Sequence, residues 1–337
     1  MNNTTKWALA AGCGLGLMAA RRAWLEASYG LAGRTVLVTG GSRGLGLLLA
    51  REFAAQGARL IICARNRRQL QRARDDLESR AARVLAVVCD VTDEDQVRRL
   101  VRTSLTHFGR IDVLVNNAGT IQVGPMEVMT LADYQEAMKT HFWGPLYTTL
   151  AVLPHMRWRG SGRIVNISSI GGKLSMPHLL PYGASKFALV GLSQGLRAEL
   201  AKDGIKVTTV CPGLMRTGSH RNAWFKGRHR NEYAWFSISD SLPIASMSAQ
   251  RAARQVVAAC RRGDAEVVLS LPAAVAARFH GLFPGLTADL LGWVNRMLPE
   301  PGGIGSRRLQ GSKSRSSWSP SWLTRLADRA AVAHNEV

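Results

Sequence analysis

From Arg34 onward the chain alternates short apolar runs with longer amphipathic stretches. Apolar runs bounded by turn residues suit strands, and the amphipathic stretches between them suit helices that cover those strands. "RTVLVTG" reads as the first strand and "ARLIICAR" as the second. "RVLAVVCD", "IDVLVNNAG", "GRIVNISS" and "IKVTTVCPG" read as the third to sixth, and Ala265 to Ser270 as a seventh. The longest helices are predicted over Leu131 to Met156 and Tyr182 to Lys202. Repeated βα units of this kind predict an α/β fold, a doubly wound parallel sheet (Rossmann fold) of about seven strands with helices on both faces, over residues 32–270.

Several segments break the alternation. Residues 1–31 form an N-terminal apolar and basic segment, with an apolar run from Trp7 to Ala20 between Lys6 and Arg21-Arg22. That run is shorter than the about 20 residues needed to cross a bilayer, so it is expected to pack on the domain or to touch a membrane surface through residues 7–20. Residues 214–242 mix Trp224, Phe225, Tyr233, Trp235 and Phe236 with Arg216, Arg221, Lys226, Arg228 and Arg230. An excursion of this length inside a domain is expected to be a substrate loop or lid. Residues 271–300 read as an amphipathic, helical C-terminal extension. Residues 301–337 are polar, basic and partly serine-rich, and are expected to be poorly ordered unless they dock on something.

The formal charge of +21 over 337 residues predicts attraction to anions: nucleic acid, acidic headgroups or phosphorylated cofactors. The chain has no zinc-finger spacing, no RRM-type aromatic signature and no helix-turn-helix pattern, which argues against nucleic acid. Five cysteines without a C-x-x-C pair point to a reducing, cytoplasmic setting, with or without membrane association, and no metal is expected.

"VTGGSRGLG" directly follows the first strand and opens a helix, with Gly40, Gly44 and Gly46 in the turn. Glycines there let backbone amides approach a pyrophosphate, whose charge a helix N-terminus favours. At the end of the second strand, where an acid would take the ribose hydroxyls of NAD, stand Arg65 and Asn66. A guanidinium suits a 2′-phosphate, and Arg43 in the glycine loop could hold the same group, so NADP(H) is the expected cofactor. In "PYGASK", Tyr182 and Lys186 lie four positions apart on one helical face, where a phenol and an ammonium can share a site.

With Thr39-Gly40, Gly44 and Gly46, Asp90, Asn116-Asn117-Ala118-Gly119, Ser169, Tyr182-x-x-x-Lys186 and Pro212-Gly213 at successive strand ends, the chain resembles a classical short-chain dehydrogenase/reductase (SDR) over roughly residues 32–270. The resemblance implies an NADPH-dependent oxidoreductase acting on a carbonyl or secondary alcohol, with Tyr182 as acid and base. Lys186 would lower the phenol's pKa and bind ribose, and Ser169 would polarise the carbonyl; its neighbour Ser168 is the weaker candidate. It places the cofactor against Gly40, Ser42, Arg43, Gly44, Leu45, Gly46, Arg65 and Asn66. Further along the chain, Asp90 would meet the adenine, Asn117 the adenosine ribose region and Thr217 the carboxamide of the nicotinamide, with Val91, Ala118, Gly119, Pro212 and Gly213 also against the cofactor.

The family usually carries an asparagine, which holds a water beside the lysine, where this chain has His141; a histidine could hold that water or relay the proton itself. The alternative is a non-catalytic dinucleotide-binding sensor or scaffold. A homodimer or homotetramer built on the two long helices is implied as well.

Overall fold

The computed structural model describes residue 16 and residues 20–242, 246–316, 319, 321 and 324–337. The apolar run 7–20 lies almost entirely outside the described residues. Seven strands, β1 (Thr35–Thr39), β2 (Arg59–Ala64), β3 (Val84–Val88), β4 (Val113–Asn116), β5 (Gly162–Ile167), β6 (Ile205–Pro212) and β7 (Glu266–Leu269), form one sheet in the order β7-β6-β5-β4-β1-β2-β3. Every pairing is parallel. Side chains alternate across it: Val36 and Val38 of β1 enter the layer beneath α1 (Gly44–Ala55) and α8 (Ala249–Arg262) with Phe53 and Val256. Leu37 enters the opposite layer, with Val97 of α3 (Glu94–Phe108) and Val152 of α5 (Gly144–Trp158). Burial on both faces is why these strands read as unbroken apolar runs.

The bottom of the sheet is pinned by one acid. Asp112, 1% exposed, accepts from the Thr35 amide at 2.9 Å and lies 2.8 Å from Arg159, with Arg110 and Arg34 also paired to it.

Two expectations need correction. The helix predicted over 131–156 is interrupted: α4 (Leu131–Met138) passes into π-helical Lys139–Trp143 before α5 begins. Pro145 has no N–H to return to the carbonyl of residue 141, which opens the turn there. Helix α6 (Leu180–Leu200) starts two residues before the predicted Tyr182, with Pro181 in its first turn, where the missing N–H costs nothing.

Residues 214–242, the expected lid, are ordered. Leu214–Arg216 pairs with Ser246–Ser248, and Trp224–Phe225 sits between Gln122–Val123 and Leu309–Gln310. Helix α7 (His229–Ser241) then packs Tyr233 and Phe236 on Phe225. The tail is ordered as well: α11 (Arg325–Ala333) docks against the lid, and residues 334–337 reach the turn after β1. The predicted extension forms a hairpin of α9 (Leu271–Leu282) and α10 (Pro284–Asn295) that leaves Leu271, Leu282, Phe283, Leu286, Trp293 and Met297 exposed. No helix among the described residues is long and apolar enough to cross a membrane.

Candidate active site

A cavity of about 600 Å³ opens at the carboxyl ends of the strands, where the strand order reverses between β1 and β4. Open α/β sheets bind ligands at that position. Every residue singled out from the sequence as catalytic or cofactor-binding lines this cavity.

At one end is the glycine loop. A Cβ on Gly46 would stand 2.1 Å from the Gly40 carbonyl, so no other residue lets the loop fold back on the first turn of α1. Thr39 and Asn117 brace it: the Thr39 Oγ1 accepts from the amides of Asn117 and Ala118 at 3.0 and 3.1 Å. The Asn117 side chain donates to the carbonyls of Thr39 and Gly40 at 3.0 and 3.3 Å, so its amide shapes the loop. The cavity's size, this close-packed turn and the helix N-terminus behind it fit a dinucleotide with its pyrophosphate over the amides. Arg65 projects into solvent, 69% exposed and 3.8 Å from Asp90, while Arg43 lies 3.4 Å from Glu336. Asn66 caps α2 (Arg67–Glu78) by accepting from the Gln69 amide. Thr217 Oγ1 accepts from the Ser219 amide at 3.1 Å.

At the other end Ser169, Tyr182 and Lys186 converge. Ser169 Oγ accepts from the Gly171 amide at 3.0 Å and lies on the same side of Gly171 as the Tyr182 ring. Lys186 Nζ donates to the Ile167 carbonyl at 2.9 Å and lies 5.6 Å from the Tyr182 ring centre. The expected lowering of the phenol is not what burial produces here. Desolvation pushes Tyr182 up to about 12 against the opposing effect of Ser169, and it pushes Lys186 down to about 7. Low dielectric disfavours both charged forms, and a lysine half-neutral at pH 7 has less charge with which to hold a phenolate. Ser168, the weaker candidate, donates to the Lys186 carbonyl at 3.0 Å and so anchors α6.

His141 occupies the π-helical turn, fully buried. Its Nε2 accepts from the Thr120 amide at 3.1 Å, which places the ring proton on Nδ1, 2.8 Å from Ser185 Oγ. Ser185 in turn donates to the Tyr182 carbonyl at 2.8 Å. Burial first, then the charge of Lys186, holds the imidazole well below its usual pKa. Both ring nitrogens are therefore engaged by protein, and burial disfavours the charged imidazolium. His141 joins the loop after β4 to the helix that carries Tyr182 and Lys186.

Some residues of the site carry no legible mark in the sequence. Lid residue Asp240 is buried, and desolvation pushes its carboxyl up to about 8, close enough to Tyr182 for its charge to act on the phenol. Outside the cavity lining, His178 and Trp235 both bond Glu232 of α7, at 2.8 and 2.7 Å. Asn222 and Glu336 complete the wall beside Arg43. Only the tertiary fold brings them there, and no local spacing announces it.

Residues 34–226 match the short chain dehydrogenase family. A dehydrogenase/reductase SDR family member 7B of Bos taurus is 34% identical over 80% of this chain and 83% of its own length. Plant 11-beta-hydroxysteroid dehydrogenase 1A, from Arabidopsis thaliana, is 38% identical over 59% of this chain, and the match spans 57% of that protein. The crystal structure of a short-chain dehydrogenase from Streptomyces avermitilis superposes with a TM-score of 0.65 at 33% identity, covering 78% of this chain and 98% of that one. The strand order agrees with that match, and the chain belongs to the short-chain dehydrogenase family.

Proposed function

We propose that the protein is an NADP(H)-dependent oxidoreductase acting on a carbonyl or secondary alcohol of an apolar substrate. The observation that carries this reading is the meeting of Ser169, Tyr182 and Lys186 in the same cavity as the glycine loop. NADP(H) held along that cavity supplies or accepts the hydride. The Ser169 oxygen is already engaged by the Gly171 amide, which leaves its O–H to donate to the substrate oxygen as negative charge develops there. Tyr182 gives its proton to the same oxygen in reduction and takes it back in oxidation. Charged Lys186 favours the transient phenolate. Ile121, Met215 and Ala223 give the cavity an apolar flank beside these groups.

The phosphorylated cofactor is favoured by two guanidinium groups, Arg43 and Arg65, at the adenosine end. NADPH oxidation across a panel of apolar ketones and aldehydes tests the reading. Turnover that disappears in Tyr182→Phe upholds it, whereas NADPH binding with no turnover across the panel favours a sensor or scaffold. Self-association through α5 and α6 is supported by exposed Trp143, Leu150, Trp158 and Phe187, and sedimentation would test it. Contact with an anionic membrane surface is supported by the exposed apolar residues of the α9–α10 hairpin together with the charge of +21. Flotation with anionic vesicles, weakened in Trp293→Ser, would test that contact.

A further inference from the structure

The segment 334–337 is fixed on the cofactor site from several sides. The Gly44 amide, first in α1, donates to the His334 carbonyl at 2.8 Å. The Asn335 side-chain amide donates to the carbonyls of Ser42 and Gln69 at 2.7 and 3.0 Å, and Arg72 holds its oxygen at 2.8 Å. Asn222 of the lid donates to both the backbone carbonyl and the carboxylate of Glu336, at 2.9 and 2.6 Å. Helix α11, which delivers the segment, packs so closely on Gly218 that a Cβ there would stand 2.4 Å from Ala331. Glu336 itself is nearly buried, lines the cavity, and lies 3.4 Å from Arg43 Nε.

A buried carboxylate thus rests against one of the guanidinium groups assigned to the 2′-phosphate. We propose that Glu336 is a cofactor-specificity residue, an internal anion that competes with the 2′-phosphate for Arg43 and so restrains the preference for NADP(H) over NAD(H). The inference rests on the NADP(H) reading above. A 2′-phosphate approaching Arg43 meets a group that is already paired, and it must share the guanidinium with a carboxylate of like charge. NAD(H) brings no charge to that spot and is spared the competition. The remainder of the two cofactors is the same, so the effect of Glu336 is confined to their difference.

Equilibrium binding of NADPH and NADH to the full chain, followed by nucleotide fluorescence, tests this. Glu336→Gln keeps the size of the side chain and an oxygen for Asn222 but removes the charge. It is expected to tighten NADPH about tenfold, the effect of one charge-assisted contact freed at Arg43, while NADH changes by less than about threefold. Glu336→Asp, which keeps the charge, should retain a ratio near that of the parent. Equal tightening of both nucleotides would overturn the proposal in favour of a simple plug, and so would no change, weakening of both, or a ratio that rises as far in Glu336→Asp. Arg43→Ala separates the two readings. If it lowers NADPH affinity selectively but Glu336→Gln has no selective effect, the cofactor reading stands and the inference fails. If Arg43→Ala does not discriminate between the nucleotides, Arg43 has no part in 2′-phosphate recognition and the cofactor reading fails at that residue. The gain from Glu336→Gln should also vanish in the Arg43→Ala background.

Discussion

Tyr182 and His141 lie with their ring centres 5.4 Å apart, yet their variants should fail in different ways. Tyr182→Phe keeps the ring and removes the proton, so turnover should fall by about 10²- to 10⁴-fold, the usual worth of a general acid, with nucleotide affinity preserved. His141→Ala strands the Thr120 amide and leaves Ser185 without its ring partner. Buried groups left unpaired cost about 1–3 kcal/mol each, so denaturant unfolding should show a loss of about 2–6 kcal/mol. The imidazole is held far below its usual range, so its NMR signals should not titrate between about pH 5.5 and 8, and no inflection near 6.5 in the rate profile should be traceable to it. A His141 signal that moved through that interval would restore the relay.

Elements differ in how far sequence foretells them. The strands were legible because each is an apolar run with turn residues at its ends, Ser169 and the glycine loop because they sit at those ends, and Tyr182 because Lys186 follows it by four positions in a helix. The lid segment was legible as an excursion, but its internal order was not, because that order comes from partners distant in the chain. Lys226 meets Asp133 at 2.5 Å with both side chains almost fully buried, and Asp133 also accepts from the Thr130 amide at the start of α4. Nothing near Lys226 in sequence announces that carboxylate. Breaking a buried pair by removing one partner costs about 3–5 kcal/mol, so Lys226→Met should loosen the lid. Hydrogen exchange should rise across residues 224–241 and stay unchanged in β1 and β4. The tail's composition predicts poor order unless it docks, and composition cannot register that Asn335 and Arg72 will meet.

The molecule as a whole is held at one end of the sheet by Asp112 and at the other by the tail. Burial alone would raise the Asp112 carboxyl, but bonds from Arg110, the Thr35 amide and Arg159 outweigh it and hold the group below the usual carboxylate range. A carboxylate depressed in the folded state adds stability above its unfolded pKa of about 3.9 and loses it as pH falls through the lower folded value. Asp112→Asn should therefore be less stable than the parent at pH 7, by about 3 kcal/mol or more for a buried group with several cationic partners, and the gap should narrow on acidification below about pH 4. A gap that stayed constant down to pH 2 would mean the loss is one of packing.

The other end raises a question of time. Ser42 and Asn335 are separated by 293 positions, so a ribosome shapes the glycine turn long before it adds the residues that brace it. Synthesis proceeds at about 5–20 residues per second, which leaves an interval of many seconds between the two events. Throughout it Arg43 has no carboxylate beside it, and a nascent chain stalled short of residue 334 should discriminate more strongly for the phosphorylated nucleotide than the same chain extended to residue 337. The newborn protein would then meet its cofactor under different terms from the mature one.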